Sequence, residues 1–133
     1  MTTDRILPRI DDDAPFWDAA NDHELRMQQC SECGHVRWPP SPVCTECWAE
    51  AHEWTELSGR GEVNTWVVFH RVYFDAFADE VPYNVAEIEL EEGPRYLANV
   101  VGCKNDDLYR GMPVRVVFEE YTEGVTVPKF EPR

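Results

Sequence analysis

A chain of 133 residues with 43% hydrophobic and 29% charged side chains is the size and composition of one globular domain, or of a small domain with an appendage, and is not a disordered segment. Its formal charge of -14 argues against a general phosphate-backbone binder, because such proteins draw affinity from Lys and Arg that release counterions. No apolar run reaches membrane-spanning length and the N-terminus lacks the basic-then-apolar pattern of a secretory signal, so a cytoplasmic location with no membrane contact is expected.

In chain order, residues 1–12 lack periodicity and read as a flexible tail. Residues 13–29 form an N-terminal helical segment. Asp13 is placed to cap a helix from about Pro15 to His23, with Pro tolerated in the first turn and Phe16, Trp17, Ala20 and Leu25 as the apolar stripe.

Residues 30–57 carry the strongest signal of the chain. Cys30 and Cys33 form one C-x2-C pair and Cys44 and Cys47 another. Each pair places two thiolates on one tight turn, and two such turns complete the tetrahedral shell of a zinc ion. Gly34 supplies permissive backbone directly after Cys33, while Pro39, Pro40 and Pro42 exclude a helix from the interval, leaving a loop-rich unit with little core. Four thiolates leave no coordination position open, so the ion is expected to be structural Zn2+. Iron in the same geometry, a redox dithiol and two disulfides are the competing readings; a cytosolic setting disfavours the last. The fifth cysteine, Cys103, reads as a small buried hydrophobe.

From residue 58 to 133 the period becomes two. Val63, Thr65, Val67 and Phe69 alternate with Asn64, Trp66, Val68 and His70; Ala86, Ile88 and Leu90 alternate with glutamates. Further strands are expected over Arg95 to Val101, Val114 to Phe118 and Val125 to Phe130, with Gly-Pro and Gly-Met-Pro turns between them. Five short strands suggest a closed or nearly closed barrel. The acidic strand with Glu87, Glu89 and Glu91 reads as a solvated face, and no G-x-S-x-G, Walker, G-x-G-x-x-G or H-E-x-x-H motif is present, so no catalytic residue is assigned. The segment from Val72 to Tyr83, rich in aromatics that include Phe74 and Phe77, is the candidate partner contact.

Several ordered features together carry a family resemblance: Phe16-Trp17, the Cys30 to Cys47 unit with Trp38-Pro39-Pro40, Ser58-Gly59-Arg60-Gly61, Val81-Pro82-Tyr83, Glu92-Gly93-Pro94-Arg95, Gly111-Met112-Pro113-Val114 and Pro128-Lys129-Phe130. The chain resembles the acyl-CoA-associated family that joins a rubredoxin-like zinc ribbon to an OB-fold, once catalogued only as a domain of unknown function. The resemblance implies a mainly β fold: N-terminal helix, zinc ribbon, then a five-stranded OB-fold barrel. It also implies a non-catalytic subunit, in a heterotetramer with a thiolase-fold protein, that supports its partner's fold and acyl-CoA channel. The partner would be a thiolase, an acyltransferase or a steroid side-chain retro-aldolase, with acyl-CoA bound at the partner's site. Arg60, Arg71 and Arg95 are candidates to meet a CoA phosphate, by charge alone. The alternatives are a free-standing acyl-CoA module or a single-stranded nucleic-acid module. The acidic barrel and the absence of a basic stripe between Cys30 and Cys47 argue against nucleic acid.

Overall fold

The computed structural model describes residues 10–133, so most of the tail expected over residues 1–12 lies outside the described residues. Helix α1 (Ala14–Asn21) forms where expected, with Pro15 in its first turn and Phe16, Ala19 and Ala20 buried. Asp13 sits at the N-cap, but its carboxylate accepts from the Asp11 amide (3.0 Å) and the Trp17 indole (2.9 Å) instead of from the helix's free N–H groups. The helix stops short of His23, which adopts the left-handed region (φ 62°) and turns the chain out of the helix.

Three strands follow: β1 (Arg26–Cys30), β2 (Val36–Arg37) and β3 (His52–Glu56), arranged as an antiparallel sheet in the order β2-β1-β3. The pairing of β2 and β3 goes beyond the loop-rich unit expected over residues 30–57, and β1 corrects the helical segment expected over residues 13–29, whose last four residues are strand. The central strand β1 escapes period-two reading because both its faces are covered. Met27 is buried in the main core, and Gln28, on the other face, is held by the Ser41 amide (2.8 Å).

The remaining strands are β4 (Arg60–Phe69), β5 (Tyr83–Leu90), β6 (Arg95–Ala98), β7 (Pro113–Thr122) and β8 (Val125–Pro132), in the order β6-β5-β4-β7-β8. All neighbours pair antiparallel. A parallel bridge between Val100, just after β6, and Phe130 of β8 brings the two edges together, giving a nearly closed five-stranded barrel. Closure is reinforced at Asn84, whose buried amide donates to the Val100 carbonyl (2.8 Å) while its Oδ1 accepts from the Val100 amide (2.7 Å). At the entry to β4, Gly59 has φ 78°, and a Cβ there would lie 2.5 Å from Val116 Cγ1, so only glycine lets the chain pass so close to β7.

The alternation expected along β4 holds only to Val63. A register shift between Val63 and Thr65 inserts a bulge, after which Thr65 and Val67 face solvent and Trp66 packs against the core. The other strands keep the expected phase: Ala86, Ile88, Leu90, Tyr96, Ala98 and Val114 are buried, and Leu97 is exposed.

One hydrophobic core runs through the helix, the ribbon and the barrel. Phe16 of α1 lies 4.4 Å from the ring of Trp38 in the ribbon and 5.7 Å from that of Tyr96 in β6. Leu25 and Met27 join Val63, Ile88, Val114 and Phe130 in the same cluster. Across the barrel's other end, the Asn21 side-chain amide donates to the carbonyl of Gly124 (3.0 Å), which ties the helix to the turn between β7 and β8.

Candidate metal centre and adjoining surfaces

The two cysteine pairs repeat one local structure. In the first, the Gly34 amide donates to the Cys30 carbonyl (3.0 Å) and the Cys33 amide points at Cys30 Sγ (3.5 Å). In the second, the Trp48 amide donates to the Cys44 carbonyl (2.9 Å) and the Glu46 amide points at Cys44 Sγ (3.4 Å). Both turns close with a residue in the left-handed region, Gly34 at φ 81° and Trp48 at φ 66°. Facing turns of this kind deliver four sulfurs to one point. All four Sγ atoms lie within 4.8 Å of one another, with Cys30–Cys47 at 3.5 Å and Cys33–Cys44 at 3.6 Å. A tetrahedral ion with metal–sulfur bonds of about 2.3 Å requires sulfur–sulfur edges of about 3.8 Å, so the donor set fits a metal. Cys30 and Cys44 are buried and Cys33 and Cys47 exposed, and none of the described cysteines is in a disulfide. Backbone amides of Cys33 and Glu32 hold the Cys30 thiol down to about 6 and those of Cys47 and Glu46 lower that of Cys44, both against desolvation, whereas sulfur–sulfur hydrogen bonds and desolvation push Cys33 and Cys47 up. The His35 carbonyl accepts from the Cys30 amide (2.9 Å) and so fixes the first turn from behind.

Trp48 is unusual on two counts. A non-glycine residue in the left-handed region costs about 1–2 kcal/mol, and its side chain is 74% exposed, so packing does not compensate. Trp48→Gly is therefore expected to stabilise the ribbon by roughly 0.5–1 kcal/mol, after allowing for the greater freedom of glycine in the unfolded chain. Urea unfolding of the metal-loaded chain checks this, and a destabilised variant would show that the indole packs on something after all.

The aromatic segment between β4 and β5 divides in two. Tyr73 and Phe74 are exposed, with Val72 beside them, whereas Phe77 and Tyr83 turn inward and line a groove of about 550 Å³. At this end of the barrel Tyr83 sits between Phe69, stacked on it at 5.1 Å, and Phe77, tilted against it at 5.9 Å. The far wall of the groove holds Lys129, buried and paired with Glu119 (2.5 Å), together with Tyr121 and Cys103. Cys103 is half-exposed at this groove, not buried as its apolar flanks suggested. Burial and the neighbouring Asp107 push its thiol up, away from the thiolate.

The three arginines chosen by charge do not converge. Arg60 opens β4 beside Arg115, and Arg71 follows the end of that strand, so a ten-residue strand, about 30 Å long, separates them. Arg71 lies over the Tyr73 ring, 5.5 Å from its centroid. Arg95, on β6, is paired with Glu87 (3.5 Å). The sequence did not point to Lys129 or Asn84 because the groove is assembled from four separate segments.

Comparison with known proteins places both units. Residues 17–53 match the model described as "ChsH2, rubredoxin-like zinc ribbon domain" and residues 54–119 the one described as "ChsH2, C-terminal OB-fold domain". A Methanocaldococcus jannaschii protein named "DUF35 domain-containing scaffold protein" is 41% identical over 71% of this chain and 67% of its own length. A Thermomonospora curvata protein named "Probable enoyl-CoA hydratase alpha subunit" is 38% identical over 96% of this chain, but the chain spans only 40% of that protein's length. A Geobacter metallireducens protein named "Benzoylsuccinyl-CoA thiolase subunit BbsA" is 33% identical over 65% of this chain and 55% of its own length. Among solved structures, a chain of "Ltp2-ChsH2(DUF35) aldolase" superposes with a TM-score of 0.86 at 36% identity, covering 94% of this chain and 98% of that one.

Proposed function

Because the chain belongs to the DUF35 family, in which a ChsH2-type zinc ribbon precedes an OB-fold domain, we propose that it is a non-catalytic subunit of a thiolase-fold enzyme acting on acyl-CoA thioesters. The observation that carries this reading is the match over 98% of a chain from an aldolase whose name, Ltp2-ChsH2(DUF35), joins two components. The thiolase subunit named for Geobacter metallireducens supports the same class of partner. On this reading the four thiolates hold a structural zinc ion in the cytoplasm, where thiols stay reduced, and acyl-CoA occupies the partner's site. A heterotetramer built on a dimer of the partner is the arrangement we favour.

The exposed pair Tyr73 and Phe74 supplies the docking anchor. Aromatic side chains 60% and 57% exposed on a folded chain cost hydration that a partner recovers by covering them. The double variant Tyr73→Ala/Phe74→Ala is expected to weaken association by about 2–4 kcal/mol, roughly 30- to 1,000-fold, while leaving thermal stability unchanged. Native mass spectrometry after gentle purification from the source cells provides the primary test. A thiolase-fold protein recovered in fixed ratio and lost from the double variant is the expected result. A lone metalloprotein would return the free-standing binding module to first place.

A further inference from the structure

Strand β4 is paired along its length on one side only. Toward β7 its register covers Arg60, Gly61 and Glu62, and the last contact is made by Val63 with the backbone of Gly111 and Met112. Toward β5 the pairing continues to Phe69. The Leu90 amide donates to the Pro94 carbonyl and the Glu91 amide to that of Arg60, so the odd-numbered residues of β5 face β4 and bond with Thr65, Val67 and Phe69. The N–H and C=O groups of Trp66 and Val68 therefore point to the other edge, where no hydrogen-bond partner meets them among the described residues. Buried backbone groups without partners are rare, so these look out to solvent or to another chain.

Open edges are ordinarily blunted by charge or proline. This one is not: Asn64-Thr65-Trp66-Val67-Val68-Phe69-His70 contains no Asp, Glu, Lys, Arg or Pro, in a chain of net charge -14. The ribbon's edge strand β3, by contrast, carries Glu53 and Glu56. On the outward face of the same stretch Val67 is 56% exposed, and Tyr73 lies edge-on to Phe69 at 6.0 Å, so the free edge runs into the exposed pair Tyr73 and Phe74. We propose that this edge is a strand-addition site: an extended, neutral or basic segment of the partner protein pairs with Trp66 and Val68 and continues the sheet past β4. The proposal rests on the subunit reading above. Backbone hydrogen bonds supply the affinity, and the side chain that lies beside Val67 supplies the specificity. The loop after β4 carries Asp75, Asp79 and Glu80, which disfavours an acidic segment, and a second copy of this chain, itself at -14, is repelled.

The test compares hydrogen exchange of the β4 amides in the free metal-loaded chain and in its complex with the thiolase-fold partner, purified from the source cells. Expected is fast exchange at Trp66 and Val68 in the free chain and exchange at least about tenfold slower in the complex, with Val67 and Phe69 protected in both. Val68→Pro deletes one outward N–H and leaves the bonds between β4 and β5 in place, and proline is tolerated on an edge. It is expected to weaken association about 10-fold, whereas Val68→Ala, which keeps the N–H, associates like the wild type. If Val68→Pro does not fold, exchange in the wild-type chain decides alone. Unchanged exchange at Trp66 and Val68 on complex formation, or a folded Val68→Pro that binds as well as Val68→Ala, would overturn strand addition and leave the subunit reading standing. A homodimer that protects the same amides would overturn the choice of occupant. A wild-type chain that brings down no thiolase-fold protein would overturn the proposal and the subunit reading together.

Discussion

Cys44→Ser is expected to strip the chain of its metal and unfold the ribbon. Cys44 is fully buried, and its sulfur is one of four within 4.8 Å, so no neighbouring side chain among the described candidates can replace it in the shell. A structural zinc contributes on the order of 10 kcal/mol to a small unit, comparable with the whole stability of an ordinary domain. The loss does not stop at the ribbon. Leu25 and Met27 belong to the same buried cluster as Val63, Ile88 and Phe130, so a ribbon that opens removes one wall of the barrel's core. Metal analysis should fall from one ion per chain to well below it, and amide protection should vanish first from β1 and β3. One bound ion per chain together with a wild-type melting temperature would defeat both the ligand assignment and the argument for a shared core. A strong chelator applied to the wild-type chain should reproduce the variant.

Phe16→Ala is expected to cost about 3–5 kcal/mol, the range for deleting a buried phenyl ring whose cavity cannot collapse. Phe16 is 1% exposed and touches each part of the fold: Trp17 edge-on at 4.9 Å in its own helix, Trp38 at 4.4 Å in the ribbon, and Tyr96 at 5.7 Å in β6. Such rings add attraction beyond area burial. For a chain of this length the loss corresponds to a fall in melting temperature of about 10–25 °C. Calorimetry checks the size of the effect, and Trp38 fluorescence checks its place. A fall of only a few degrees would mean that α1 rests on the surface of the core and does not fill it.

The four-cysteine cluster was legible because its geometry is local: two sulfurs per turn, with the spacing within each pair set by the turn itself. The five barrel strands were legible wherever one face meets the core and the other meets water, as in Ala86, Ile88 and Leu90. The bulge near Asn64 was not, since no glycine or proline marks it and its cause lies elsewhere in the chain. There the Val63 amide donates to the Met112 carbonyl (3.0 Å) while the Val63 carbonyl accepts from the Gly111 amide (2.8 Å). Strand β1 hid for a different reason, having two buried faces. Nothing in the sequence around Arg37 announces burial, yet the fold leaves it only 5% exposed. Charge alone likewise failed to group Arg60, Arg71 and Arg95, because it carries no information about which end of a strand each one occupies.

The parallel bridge that closes the barrel also sets an order of events. Cys30 and Cys47 are 17 residues apart, so gathering the metal's ligands closes only a short loop. The barrel has no such shortcut: Val100 must find Phe130, and Asn21 must meet the Gly124 carbonyl across 103 residues. Contacts of that sequence separation are slow to form. A growing chain can therefore capture its ion while the barrel strands are still being made. The last strand then arrives at a surface whose ribbon wall is already in place.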